Sequence, residues 1–125
     1  MGSKNTSKKG RQGEDRAVAA LEAAGLSVIA RNVRSPCGEI DIVAQDGDTL
    51  VFVEVKTWTS YGIEELRYSV DQRKQKRIVE TAKFFLASHR EYSSMAVRFD
   101  VVFIGSVENR NETITHLVSA FMECI

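Results

Sequence analysis

The tripeptide Asp46-Gly47-Asp48 stands between two β-type runs, Glu39 to Gln45 and Leu50 to Thr57, and it restricts the fold more than any other feature of the chain. An Asp-Gly pair in that setting is the strongest short-range signal for a β-hairpin, because both residues tolerate the backbone angles of a tight turn. Side chains alternate along a strand, so Glu39 and Asp41 point away from Ile40 and Ile42. Phe52, Glu54 and Lys56 likewise point away from Val51, Val53 and Val55. A two-residue loop at Asp46-Gly47 sets Glu39 opposite Glu54 and Asp41 opposite Phe52. A loop at Gly47-Asp48 sets Asp41 opposite Glu54 and Glu39 opposite Lys56. Either one gathers three carboxylates on one face.

The rest of the chain frames this hairpin. Residues 1–10 are rich in Ser, Lys, Gly and Asn and read as a flexible basic leader to one domain over 11–125. From about Gly13, Ala17, Val18, Leu21 and Ala24 fall at helical spacing, with Gly25 as a stop. Leu26 to Val33 is β-branched and apolar, and Arg34 to Gly38, with the only proline at 36, reads as a turn. Trp58 to Tyr68 lacks a period and reads as a loop. Ser69 with Gln72 fits a capping box before a helix to about His89, whose inner stripe is Val70, Lys74, Ile78, Ala82 and Phe85. Met95 to Ile104 is nearly continuously apolar, as a strand covered on both faces must be, and Thr113 to Val118 suits an edge strand. The order predicts an α/β domain.

Composition excludes several classes. With 125 residues, 43% hydrophobic and 27% charged, the chain can bury one real core and is neither disordered nor fibrous. No apolar stretch approaches the roughly 20 residues needed to cross a bilayer, and the polar start does not resemble a secretion signal, so a cytoplasmic location without a membrane partner is expected. Cys37 and Cys124, with His89 and His116, provide neither a disulfide framework nor zinc-type spacing. There is no Walker loop, dinucleotide fingerprint or nucleophile elbow. Seventeen basic residues balance seventeen acidic ones, which argues against simple electrostatic coating of DNA.

The acidic face needs an explanation, since two carboxylates about 5 Å apart repel by roughly 3 kcal/mol at an effective dielectric constant near 20. Water would screen that repulsion, protonation would remove it and a divalent cation would reverse it. Mg²⁺ and Mn²⁺ choose carboxylate and carbonyl oxygens and commonly sit between two acids and a phosphate. Lys56 completes such a set, because an ammonium there steadies a phosphate or orients an attacking water. The plain alternative is a solvated sheet face with a cross-strand ion pair.

Gly38-Glu39-Ile40-Asp41, twelve intervening residues and then Glu54-Val55-Lys56 resemble the PD-(D/E)xK nuclease signature. With Gly13-Glu14, Gly25, Arg31-Asn32, Lys74 and Arg98-Phe99-Asp100, the pattern over about residues 11 to 118 is similar to the YraN-type family of small bacterial proteins. The resemblance implies a restriction-endonuclease-like fold, akin to Holliday junction resolvases: a mixed central sheet with a β-hairpin active-site core flanked by helices. It also implies roles. Asp41 and Glu54 become metal ligands and catalytic acids, Lys56 the catalytic lysine, and the Val55 carbonyl a further ligand. Glu14 matches an acid on the first helix of the resolvase-like branch, and its register with Val18 and Leu21 independently turns it toward the core side. Glu39 is an additional ligand or a support to one. Lys74 and Gln72 match a helix position that contacts phosphate.

Arg73 extends the basic run of that helix, whose plain reading is a wet helix face, and Trp58 and Tyr61 could stack on exposed bases. Arg98 and Asp100 are expected to form a structural pair. Glu14, Glu39, Asp41, Glu54 and Lys56 carry a summed charge of about −3, which repels a phosphodiester until cations arrive. The expectation is a Mg²⁺- or Mn²⁺-dependent DNA endonuclease acting on structured DNA, with a homodimer suited to two-strand cleavage. The alternative is a non-catalytic nucleic-acid or protein-binding module on the same fold.

Overall fold

The structure, a computed structural model, describes residues 2–59, 71–106 and 112–121. The chain runs α1 (Gly2–Ala23), β1 (Ser27–Ser35), β2 (Gly38–Asp46), β3 (Thr49–Thr59), α2 (Gln72–Ser88), a 3-10 turn (Arg90–Tyr92), β4 (Ala96–Ser106) and β5 (Glu112–Phe121). The strands form one mixed sheet in the order β1-β2-β3-β4-β5. Every neighbouring pair is antiparallel except β3 and β4, which are parallel. A tight turn cannot join parallel neighbours, and α2 lies in the connection that does.

Strand alternation divides the core between two helices. On one face, Ala17 and Leu21 of α1 cluster with Ile42, Ala44, Val51, Val53, Val102 and Ile104. On the other, Ile78, Val79, Ala82 and Phe85 of α2 cluster with Val43, Leu50, Phe52, Phe99, Val101 and Phe103. Phe52 alone, 1% exposed and stacked on Phe99 at 5.7 Å, contributes about 1.5–3 kcal/mol by leaving water. The apolar run of β4 follows from being covered by both clusters.

Several boundaries differ from those read in the sequence. The helical backbone of α1 reaches back to Gly2, into the segment read as a leader, since no proline interrupts it and Lys, Arg and Gln propagate helix well. It stops where expected: Gly25 N–H bonds to Glu22 C=O at 3.0 Å and Leu26 N–H to Leu21 C=O at 3.0 Å, a paired closure that also buries Leu26 beside Leu21. β3 continues through Trp58 and Thr59, which pair with Gly105 and Ser106 rather than opening a loop; the partner comes from β4, invisible to local pattern. α2 starts at Gln72 with Asp71 as its cap, the Asp71 carboxylate accepting from Lys74 N–H at 2.9 Å. The proposed cap Ser69, with Val70 and Tyr61, lies outside the described residues. Ile40 joins the α2-side cluster instead of following Ile42. The strand pairing explains where this occurs, because β2 and β3 part beyond Ile42↔Val53.

Candidate active site

The turn decides the geometry of the acids. Asp46 pairs with Thr49, so the two-residue loop is Gly47-Asp48, with Gly47 at φ 58°. A type II′ turn demands glycine at that first central position, which selects this register over the one centred on Asp46-Gly47. The pairing then runs to Ile42↔Val53, and the same register carried one step further sets Asp41 beside Glu54. Beyond the last pair the β3 backbone is served by a side chain: Val55 N–H donates to Asp41 Oδ2 at 2.7 Å.

Asp41 and Glu54 line a pocket of about 240 Å³ together with Gly38, Glu39, Lys74, Arg77 and Ile78. Burial, then the charge of Glu54, pushes the Asp41 pKa up to about 7 against the pull of the Val55 N–H, with Glu14 and Glu39 adding to the rise. Glu54 is 7% exposed, and its Oε1 meets the Lys74 ammonium at 2.7 Å. Lys74 is driven down by burial, but its bonds to Glu54 and Lys56 outweigh that and its pKa ends above the ordinary lysine value. Lys56 moves the other way, lowered by burial and then by its contact with the Lys74 ammonium.

Glu14, on α1, sits outside the pocket lining but feels it. Its pKa is raised, chiefly by burial, against Arg31, and further by Glu39 and Asp15. Its Oε1 atom is buried and has no hydrogen-bond partner. Glu39 is exposed and pairs with Arg34 at 3.3 Å. Gln72 and Arg73, in the first turn of α2, are exposed. Trp58 lies on β3, two residues beyond Lys56, with its side chain outside the described set. Val55 contributes its N–H to the site. Among the described residues no three His, Cys, Asp or Glu side chains form a ready-made metal cage. The arrangement is a carboxylate pair with one lysine bound to it and a second beside that.

Arg98 and Asp100 form the expected pair on β4. Arg98 Nε and Nη2 reach the Asp100 carboxylate at 3.0 Å each, and Arg98 Nη1 reaches Asp46 at 3.0 Å. His116, which drew no role from its sequence context, places Nε2 at 2.7 Å from Asp100. Its β5 position opposite Val102 explains why no local signal marked it. Arg77 and Asn32 are two more residues that sequence reasoning left without individual roles. Arg77 lines the pocket, and the Asn32 side chain hydrogen-bonds to Glu14. Helical spacing from Lys74 points to Arg77 one turn on, whereas the backbone of Asn32, at φ 53°, has no signature in a β-type run.

Residues 13–104 match the model of a family described as "Uncharacterised protein family UPF0102". A UPF0102 protein of Treponema pallidum is 49% identical over 115 residues, covering 90% of this chain and 91% of its own length. One from Persephonella marina is 42% identical over 113 residues, covering 90% and 92%. One from Azorhizobium caulinodans is 41% identical over 113 residues, covering 90% and 82%.

Proposed function

The chain belongs to the UPF0102 (YraN) family, and from that premise we propose that it hydrolyses DNA phosphodiester bonds with a divalent cation, on a restriction-endonuclease-like fold. One observation carries this reading: Asp41 and Glu54 share a pocket with Lys74, whose ammonium meets Glu54 at 2.7 Å, and Lys56 bonds to Lys74 with its pKa pushed in the opposite direction. Titratable neighbours separated in this way divide proton-transfer and charge-holding work between them.

The Asp41–Glu54 carboxylate pair offers the hard oxygens that Mg²⁺ or Mn²⁺ takes, and Glu14, outside the pocket lining, has one buried oxygen, Oε1, without a partner. The Val55 carbonyl and Glu39 extend the set. A bound cation would supply Lewis acidity to the phosphate and to a water. Lys56, with its lowered pKa, gives and takes a proton at Nζ closer to neutral pH than an ordinary lysine does. Lys74 stays protonated and offers its ammonium to a phosphate oxygen, with Arg77 beside it in the pocket. Gln72 and Arg73, exposed in the first turn of α2, would meet the rest of the nucleic-acid backbone in this reading.

The test is cleavage of junctions, flaps and single strands in Mg²⁺ and Mn²⁺, with Asp41→Ala as control. Expected is a loss of at least about 100-fold in the variant, the range over which removal of a charge-stabilising group slows catalysis. Equal activity in variant and wild type rejects the site. The Lys74–Glu54 ion pair favours a second reading, because it neutralises one acid without any metal ion. DNA binding with no metal binding by calorimetry would select that non-catalytic module.

A further inference from the structure

The pocket shared by β2, β3 and α2 is lined by five charged side chains, Glu39, Asp41, Glu54, Lys74 and Arg77. Four of them have partners: Glu39 pairs with Arg34 at 3.3 Å, Asp41 accepts from Val55 N–H at 2.7 Å, and Glu54 holds the Lys74 ammonium at 2.7 Å. The Arg77 guanidinium has none among the described residues. Its turn of helix, by contrast, is fixed. Thr81, fully buried, donates its hydroxyl to the Arg77 carbonyl at 2.9 Å and meets the Ser35 hydroxyl at 2.8 Å. Thr81 has one proton to give, so Ser35 supplies the proton between the two hydroxyls, while Ser35 Oγ accepts from Cys37 N–H at 3.1 Å. This line of bonds runs from the β1–β2 turn to the backbone of Arg77. Gly38, paired with Ser35 across that turn, lies against the same place: a Cβ built on it would touch Arg77 Cβ at 3.4 Å. Valine would fill the site of Thr81 without the cost of burying a hydroxyl, so what the hydroxyl adds is a fixed direction.

We propose that Arg77 receives a phosphate group of a nucleic acid in this pocket, and that Thr81, through Ser35, is the positioning residue that holds its turn of α2 there. The inference rests on the phosphodiester reading above and deepens it with residues outside the nuclease-like signature. Arginine suits the task better than Lys74. Its planar fork meets two phosphate oxygens at once and its charge is permanent, whereas the Lys74 ammonium is already on Glu54.

The test uses the full chain. Anisotropy of labelled junction, flap and single-stranded DNA is followed at several salt concentrations in millimolar Ca²⁺, for wild type, Arg77→Gln, Thr81→Val, Thr81→Ser and the double variant Arg77→Gln/Thr81→Val. Arg77→Gln should bind at least about 10-fold more weakly, and the slope of log affinity against log salt should fall by about one phosphate contact. Thr81→Val should lose part of the same affinity when Arg77 is present and none when it is absent, because a residue that acts through another has nothing left to position. Thr81→Ser keeps the hydroxyl and should bind as the wild type does. Equal losses from Thr81→Val in both backgrounds would make the hydroxyl tie structural alone and overturn its positioning role. Wild-type affinity and salt slope in Arg77→Gln would overturn the whole inference and leave the phosphodiester reading in place. No DNA binding by the wild type would overturn both.

Discussion

Asp100 and Asp41 are buried acids on one sheet, and they meet opposite fates. The Asp100 side chain is fully enclosed, and it accepts from Arg98 twice, from Ser119 N–H at 3.0 Å and from His116 at 2.7 Å. Burial pushes its pKa up, but the bonds from His116, Arg98 and Ser119 outweigh burial and hold it below the ordinary value. Asp41 meets the same desolvation with the Val55 N–H for help and Glu54 against it, and ends at about 7. Burial alone therefore does not set the proton affinity of an acid on this sheet; the supply of donors does. A carboxylate surrounded by donors keeps its charge and locks strands together, whereas one held next to another acid holds its proton more tightly.

The largest effect should come from breaking the satisfied cluster. Asp100→Ala leaves Arg98 and His116 facing a buried site without their acid, and should cost about 3–5 kcal/mol in urea unfolding at pH 7. A loss well under 1 kcal/mol would erase the contrast between the two regions.

Asp41→Asn should act in the other direction, stabilising the protein at pH 8 by about 1–3 kcal/mol, a three-unit shift discounted for the partial access of solvent to the pocket. The sign follows from linkage. With a folded pKa of about 7 against 3.8, the native state binds more protons than the unfolded chain between those values. Wild-type stability from this group therefore falls as pH rises through that window. The advantage of the variant should vanish below about pH 4, where Asp41 is protonated in both states. Asp100 contributes in the opposite sense, its stabilisation present above 3.8 and lost as pH falls below it. Urea midpoints at about pH 2.5, 4, 6 and 8 measure both trends.

A change of similar size to the last, on the partner acid, sharpens the contrast. Lys74→Met strips Glu54 of its ammonium and should cost about 1–3 kcal/mol at pH 8. Millimolar Mn²⁺ should restore part of that loss while doing nothing for Asp100→Ala. Equal rescue, or none in either, would deny the pocket its affinity for cations.

Much of this was legible from residues 11 to 118. The Asp-Gly turn announced the hairpin, and period-2 alternation set Asp41 and Glu54 on the face opposite Val53. The apolar run of β4 announced its double burial. The cap of α2 was misread as Ser69 because Asp71 and Ser69 both suit the role locally, and the cap bond to Lys74 N–H distinguishes Asp71. Trp58 read as loop because its strand partner is Gly105, 47 positions away. His116 carried no mark at all, since its meaning is Asp100, which β4 delivers.

By itself the sequence determined what is periodic and local: the central stretches of helix and strand, the span within which the hairpin turns, and the face that Asp41 and Glu54 share. Tertiary structure decided what depends on contacts across the sheet. It chose Gly47-Asp48 as the loop, set Lys74 on Glu54, turned Asn32 toward Glu14 and surrounded Asp100 with donors. The reason is physical: side-chain alternation is a property of a single strand, whereas a carboxylate's proton affinity depends on every dipole and charge packed around it, most of them far away in the chain.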